Sequence, residues 1–338
     1  MKLTRITIQH LRNHESYTCD FGAHATLIYG ANGTGKTTLL EAVYMGLRGV
    51  SFKGVDRDIV QRETDWYRID LESDEDVRTI KYDGAKRIEI NGKTHARLPA
   101  KSKYPVVLFT PDDMRLIDGS PSRRRKYLDS FLAQFDPKYA HHLRRYERAL
   151  VQRNKLLKSP RVSEELLFSW NVMLSDSGAY LVNQRIKFVA AIETELAAQY
   201  AAIAADPAEI HASYTVEKPI TSQQLLAAYE QSIERDRALL NTSVGPHRHD
   251  FLITLRTHAA ATSASRGEIR TIILALKYIE AATLERATGK RPIILLDDVY
   301  GELDETRQRH LLSSFHDHQI IITSTHTVPL RGAVRVKI

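Results

Sequence analysis

The chain has 338 residues, 43% hydrophobic and 26% charged, with one cysteine. At roughly 100–200 residues per domain that allows one large domain or two modest ones, with enough apolar content for a packed core. A lone Cys19 excludes an intrachain disulfide framework. No apolar run approaches the roughly 18 residues of a membrane span, and the charged start Met-Lys-Leu-Thr-Arg lacks a signal-peptide core, so a reducing, cytoplasmic setting without a membrane partner is expected.

Charge is unevenly spread. Lys plus Arg total 48 against 41 Asp plus Glu, a net +7. Residues 121–161 hold 12 basic and 3 acidic side chains, a net +9, so the other 297 residues sum to −2. A positive field concentrated in one segment suits a polyanion, and a solvated helical face is the plainer alternative.

In chain order, residues 3–9 alternate as a strand and residues 25–29 form a short apolar strand. The Gly-rich stretch 30–38 follows, then a helix over 39–48 that stops at Gly49. Residues 66–98 read as short β segments with hairpin turns at Asp83-Gly84 and Asn91-Gly92, and residues 105–109 as a buried strand. From 122 to about 200 the pattern is helical, broken at Asp136-Pro137 and Ser159-Pro160, and the Ala-rich helix over 178–204 ends near Asp206-Pro207. Another helix spans about 221–240, and Gly245-Pro246 returns the chain to β structure at 251–257. A helix from Ser265, a strand over 293–297, a short helix from about Glu305 and a strand over 319–323 complete the chain. The layout predicts α/β structure at both ends joined in one sheet, with a mainly helical lobe inserted between them.

Three motifs carry chemistry. Gly30-Ala31-Asn32-Gly33-Thr34-Gly35-Lys36-Thr37 fits G-x-x-x-x-G-K-[ST] and lies between a strand and a helix. Such a match arises by accident in about one chain in a hundred of this length. The glycines let backbone amides turn toward phosphate oxygens, Lys36 brings a charge to the β- and γ-phosphates, and the Thr37 hydroxyl suits Mg²⁺. Ile293-Ile294-Leu295-Leu296-Asp297-Asp298 is an apolar strand closing on two carboxylates. In P-loop enzymes such a strand lies beside the phosphate loop, with Asp297 as Mg²⁺ ligand and Asp298 able to orient or deprotonate the attacking water. Ser265-Arg266-Gly267-Glu268 opens an amphipathic helix with an S-x-x-E capping box, and the same helix start can receive an anion.

The order of phosphate loop, Ser-x-Gly helix start and acidic strand end, followed by Gly301-Glu302-Leu303-Asp304, resembles the ABC-type ATPase heads of the SMC group. Leu11-Arg12-Asn13-His14, residues 105–114 (Pro-Val-Val-Leu-Phe-Thr-Pro-Asp-Asp-Met), residues 119–129 (Gly-Ser-Pro-Ser-Arg-Arg-Arg-Lys-Tyr-Leu-Asp) and residues 242–250 (Thr-Ser-Val-Gly-Pro-His-Arg-His-Asp) look like blocks of the RecF family. The resemblance covers essentially the whole chain. It implies an ABC/SMC-type P-loop ATPase head in three stretches: lobe I from 1–120, a basic helical lobe II over 121–240, and lobe I again from 241–338. About 260 residues between Thr37 and Asp297, partly β-rich, leave no room for long coiled-coil arms.

By position, the resemblance makes residues 30–38, with Thr38 closing the run, the ATP cradle, bordered by Arg12 and Asn13. Lys36, Asp298 and His326 become catalytic, the last as a γ-phosphate sensor, and Thr37 with Asp297 the Mg²⁺ ligands. Ser265 and Gly267 become a signature that acts on the nucleotide of a second copy. Arg123, Arg124, Arg125, Lys126, Arg144, Arg145 and Arg148 are candidate contacts to a DNA backbone. The implied function is a weak, DNA-stimulated ATPase: an ATP-dependent homodimer clamps duplex, gapped or junction DNA without regard to base sequence. It would work in repair, replication and the SOS response, helping RecA load with RecO and RecR, in a nucleoid-associated cytoplasmic setting. The sequence departs from the family pattern at His249, usually Asp, at Arg266 and Glu268 of the signature, usually Gln at both, and at Gly301, usually Ser. A transporter ATPase subunit shares the ABC motifs but has little use for a +9 lobe, and a small-molecule P-loop kinase needs an acceptor pocket and no signature helix.

Overall fold

The computed structural model describes residues 1–159, 163–204, 207–330 and 332–338. The chain divides into two compact units, one of residues 1–113 with 280–338 and one of residues 114–279. The sequence pattern predicts boundaries at 120/121 and 240/241. The second lies 39 residues later because the β segments after Gly245 pair with a strand of the middle unit.

In the first unit, strands β1 (Leu3–Leu11) and β2 (His14–Asp20) precede β3 (Ala25–Tyr29) and helix α1 (Lys36–Arg48). Strands β4 (Tyr67–Ser73), β5 (Val77–Tyr82), β6 (Lys86–Ile90), β7 (Lys93–His95) and β8 (Val106–Phe109) follow. The chain then enters the second unit with α2 (Arg115–Asp118), α3 (Pro121–Phe135), α4 (Pro137–Leu157), the 41-residue α5 (Glu164–Ala204) and β9 (Ile210–Tyr214). Helices α6 (Ser222–Gln231) and α7 (Ile233–Leu239) lead to β10 (Phe251–Leu255), β11 (His258–Ala259), α8 (Ala260–Ser263) and α9 (Arg266–Thr288). Strand β12 (Ile293–Leu296), α10 (Glu305–Ser314), β13 (Ile320–Ser324) and β14 (Val334–Lys337) close the first unit.

Two sheets enclose α1. The parallel sheet runs β14-β3-β13-β12-β8, and the antiparallel sheet runs β2-β1-β4-β5-β6-β7. The parallel strands are buried on both faces, as βαβ crossovers require, and Ile293 to Leu296 are buried at every position. Antiparallel strands alternate instead: Ile6 faces Leu71 and Ile8 faces Ile69, all buried toward α1. Leu39, Leu40, Val43, Met45 and Leu47 of α1 join one core with side chains of both sheets. The expected single sheet from both chain ends is thus the parallel one, and the N-terminal β segments form a second. The sequence pattern does not predict strands β2, β9 and β14. Their patterns are short or polar, and partners supplied by other parts of the chain make them strands.

The second unit packs α3 to α7 beside the sheet β11-β10-β9. Helix α4 starts at Asp136, whose carboxylate accepts from the backbone N–H of Lys138 and Tyr139. The helix expected over 178–204 is the C-terminal part of α5. Pro160 and Asp206, at two expected helix breaks, lie outside the described residues. Two buried guanidiniums organise the interior. Arg153, fully buried, donates to Asn171 (2.7 Å), Asp236 (2.7 Å) and Thr242 (2.8 Å). Arg185 donates to Asp129 (2.7 Å), Tyr139, Tyr214 and the Pro246 carbonyl. Among the described residues no helix is long and apolar enough to cross a membrane.

The 242–250 block is the hub of this unit. His247 bonds the Thr242 carbonyl through Nε2, which fixes the proton there and leaves Nδ1 to accept from the Tyr146 hydroxyl at 2.6 Å. His249 Nδ1 sits 3.1 Å from the Tyr214 hydroxyl. Burial pushes both imidazoles down to about 4. Unfolded histidines titrate near 6.5, so the stability these neutral rings contribute is present above about pH 6.5 and is lost as pH falls toward 4. By pH 5 the loss is about 2 kcal/mol per histidine. Urea denaturation at pH 7.5 and 5.0 measures it. The loss is expected to shrink by about half in His249→Asn, which keeps a hydrogen-bond partner for Tyr214, and an unchanged loss would assign the acid sensitivity elsewhere.

Candidate nucleotide site

The phosphate loop joins β3 to α1, and its backbone explains its glycines. Gly33 and Gly35 adopt φ of +84° and +100°, the left-handed region open to glycine. A Cβ on Gly35 would also fall 1.9 Å from His14 Nε2. The loop is therefore seated on the β1–β2 hairpin. His14 Nε2 lies 3.2 Å from the Gly35 carbonyl, and Asn13 donates to the Gly33 carbonyl at 2.9 Å while accepting from Thr38.

Lys36 is buried, its ammonium donating to the carbonyls of Gly30 and Ala31 at 3.0 Å each, 4.0 Å from Asp298 Oδ2. Strand β13 runs between β3 and β12, and the acidic strand end reaches the phosphate loop through side chains. Thr37 Oγ1 donates to Asp297 Oδ1 at 2.7 Å. Thr323, on the intervening β13, donates to the same oxygen at 3.0 Å and accepts from the Asp298 N–H at 2.9 Å. The backbone turns left-handed at Asp298, with φ of 54°.

Three residues of this site have no motif to announce them. Thr323 looks like an ordinary strand threonine in the sequence. Glu41, fully buried on α1, takes both Arg12 donors at 2.6 and 3.0 Å and the Ser51 hydroxyl. Lys53 brings a half-exposed ammonium to 3.9 Å from Asp297 Oδ2. Each becomes legible only through a long-range contact. Arg12 is thus committed to Glu41, which pulls its guanidinium further above its ordinary range against the opposing effect of burial. His326 is exposed, two residues beyond β13, its backbone N–H donating to Ser324 Oγ at 3.3 Å.

A hydroxyl and a carboxylate oxygen 2.7 Å apart are hard donors that suit Mg²⁺, a cation often held by one or two protein oxygens plus phosphates. Thr37 and Asp297 are the residues that would hold such an ion, which would supply charge to neutralise phosphate oxygens. Lys36 brings a cation to the loop, and Asp298 holds a carboxylate 4.0 Å from it.

The second unit holds the remaining candidates. Ser265 and Glu268 form the expected capping box: the Ser265 N–H donates to Glu268 Oε2 at 2.8 Å and the Glu268 N–H to Ser265 Oγ at 3.3 Å. Arg256 clasps Glu268 at 2.6 Å. These bonds, the Ser265 N–H foremost, hold the Glu268 carboxyl below its usual range. Gly267 lies in the first turn of α9. Arg124 does not belong to a surface: it is buried, bonds Asp250 through two 2.8 Å contacts and donates to the Ile117 and Gly119 carbonyls. The packing demands of 242–250 claim it. Arg125 donates to the His249 carbonyl at 3.0 Å, and Arg145 pairs with Asp176 at 2.6 Å. Lys126, Arg144 and Arg148 are exposed and Arg123 is half-buried.

A phosphate loop capping α1, an acidic strand one strand removed, and an S-x-G-E helix start define an ABC-type ATPase head of the SMC group. The AAA-domain family model matches residues 5–153. The chain is 33% identical over 346 residues to the DNA replication and repair protein RecF of Streptococcus thermophilus, covering 96% of this chain and 92% of that protein. A solved structure of the recombination mediator protein RecF with ATP, of the RecFOR pathway, superposes with a TM-score of 0.87 at 29% identity, covering 98% and 93% of the two chains. An Smc head bound to the C-winged helix domain of ScpA shares the fold, with a TM-score of 0.55 at 15% identity over 98% of this chain and 92% of that one. The chain belongs to the RecF family.

Thr323→Val removes the hydroxyl that holds Asp297 and the Asp298 backbone while keeping the side-chain shape. ATP hydrolysis is expected to fall about 10–100-fold, the usual cost of losing a group that orients a metal ligand. Binding of a fluorescent ATP analogue in EDTA should stay within about threefold. Equal loss of both would make Thr323 a general support of the loop.

Proposed function

We propose that the chain is an ATP-driven DNA clamp of replication and recombinational repair. The observation that carries this reading is the Thr37–Asp297 hydrogen bond beside the buried Lys36, which presents a P-loop and its acidic partner already assembled. Family membership supports the rest. In this reading residues 30–38 bind the triphosphate of ATP, with Arg12 and Asn13 at its border. Ser265 and Gly267 of a second copy meet the γ-phosphate, so nucleotide joins two copies head to head. Asp298 orients or deprotonates the attacking water, and His326 reports on the γ-phosphate. Hydrolysis removes the charge that holds the copies together, an order-and-release logic shared with other NTPases. Turnover is slow and DNA-stimulated because the product of the cycle is a conformational change.

The DNA face comprises Arg123, Arg125, Lys126, Arg144, Arg145 and Arg148, and Arg124 is left out because it is an internal strut. Contacts of this kind neutralise phosphates and carry no base sequence, so binding is salt-sensitive. Duplex, gapped or junction DNA is the substrate. RecR, RecO and RecA are the partners proposed from the family, in a cytoplasmic, nucleoid-associated setting.

Sedimentation and duplex-DNA binding with and without ATP, beside Lys36→Ala, test the switch. ATP should drive dimerisation and tighten DNA binding, and Lys36→Ala should abolish both effects. A monomer that binds DNA equally under all conditions overturns it. Arg148→Ala should weaken binding to all sequences alike and lower the salt slope by about one. Arg124→Ala should instead lower stability by about 3–5 kcal/mol, the usual cost of orphaning a buried ionic partner.

A further inference from the structure

A pocket of about 400 Å³ opens in the second unit, away from any motif. Helix α5 lines it with Glu164, Leu167, Phe168 and Asn171, spaced as one helical stripe, and α6 and α7 add Glu230, Ile233 and Glu234. Three features define what it can hold. Phe168 is 51% exposed, a large apolar side chain facing solvent, with Leu166 and Val172 of the same helix also exposed. Three carboxylates surround it against one guanidinium, Arg237, which already bonds Glu164 at 3.5 Å and Glu234 at 3.3 Å. At its wall Asn171, 1% exposed, spends its Oδ1 on Arg153, and its Nδ2 has no hydrogen-bond partner among the described residues.

These features select the occupant. Excess carboxylate in a chain of net +7 repels phosphate, so this is no extension of a nucleic-acid face. An exposed aromatic rimmed by one sign of charge is the make-up of a protein-docking site. The unused amide donor of Asn171 calls for an acceptor such as a peptide carbonyl, because a buried polar group without a partner is costly. We propose that this pocket docks a short segment of a protein partner in which an aliphatic or aromatic anchor is flanked by lysine or arginine. The anchor packs on Phe168, the basic side chains face Glu230 and Glu234, and a backbone carbonyl accepts from Asn171. The site is independent of the nucleotide switch and does not rest on it.

The test uses the full chain and end-labelled, end-blocked hexapeptides alternating leucine with arginine, glutamine or glutamate, read by fluorescence anisotropy. The leucine–arginine peptide should bind saturably, and the leucine–glutamate peptide should not. Phe168→Ser, and separately Glu230→Gln with Glu234→Gln, should each weaken binding about tenfold or more. All these side chains are at the surface, so the variants should fold, and their ATP-dependent sedimentation should match the parent chain. Absence of saturable binding, equal binding by the variants, or preference for the glutamate peptide overturns the proposal. The nucleotide readout moves independently of all three outcomes.

Discussion

The hydrogen bond from Thr37 to Asp297 joins residues 260 positions apart and ties the phosphate loop to the acidic strand end. Thr37 lies in the first turn of α1, and Asp297 follows the last residue of β12. Their meeting requires that β3, β13 and β12 run parallel and in register, so that all three end at one edge of the sheet. Leu296 pairs with Ile322 and Ser324 with Tyr29, which brings the loop and the two carboxylates to that edge. Ligand sites at the carboxyl ends of parallel strands are the general rule for open α/β sheets.

Around that bond the unit is built to hold the loop from both sides. Helix α1 is covered by the antiparallel sheet on one side and the parallel sheet on the other, so neither its axis nor its first turn can shift without disturbing the one core they share. His14 and Asn13 tie the loop's underside to the hairpin that begins the chain. Nucleotide chemistry and the packing of the N-terminal sheet are therefore one mechanical problem. That gives a physical reason for an Arg-Asn-His hairpin to accompany a phosphate loop that lies far from it in pattern.

Much of this was legible in the sequence because its signals are local. Gly33 and Gly35 mark positive φ, Ile293 to Leu296 mark a doubly buried strand, and Ser265 with Glu268 mark a helix start. What escaped was non-local. Nothing near Thr323 says that β13 will lie between β3 and β12, and nothing near Glu41 says that Arg12 will reach it. Arg124 misled for the same reason: three adjacent arginines read as one basic surface until Asp250, 126 residues later, claims the middle one. Charge counts locate a field along the chain and are silent on which side chains are spent inside.

The parallel sheet has a consequence in time. Among the described residues, strand β3 pairs only with β13 and β14, and β8 only with β12, and these three partner strands are made after the whole middle unit. At roughly 5–20 residues per second on the ribosome, the apolar edge of β3 waits about 15–60 seconds for its neighbours. The inserted unit is complete before the enclosing one can close, so the nascent chain carries a finished lobe beside an open, sticky half-sheet. An exposed strand edge of that kind invites pairing with other chains, which puts the hazard of aggregation during biogenesis in the unit that holds the nucleotide and spares the one inserted into it.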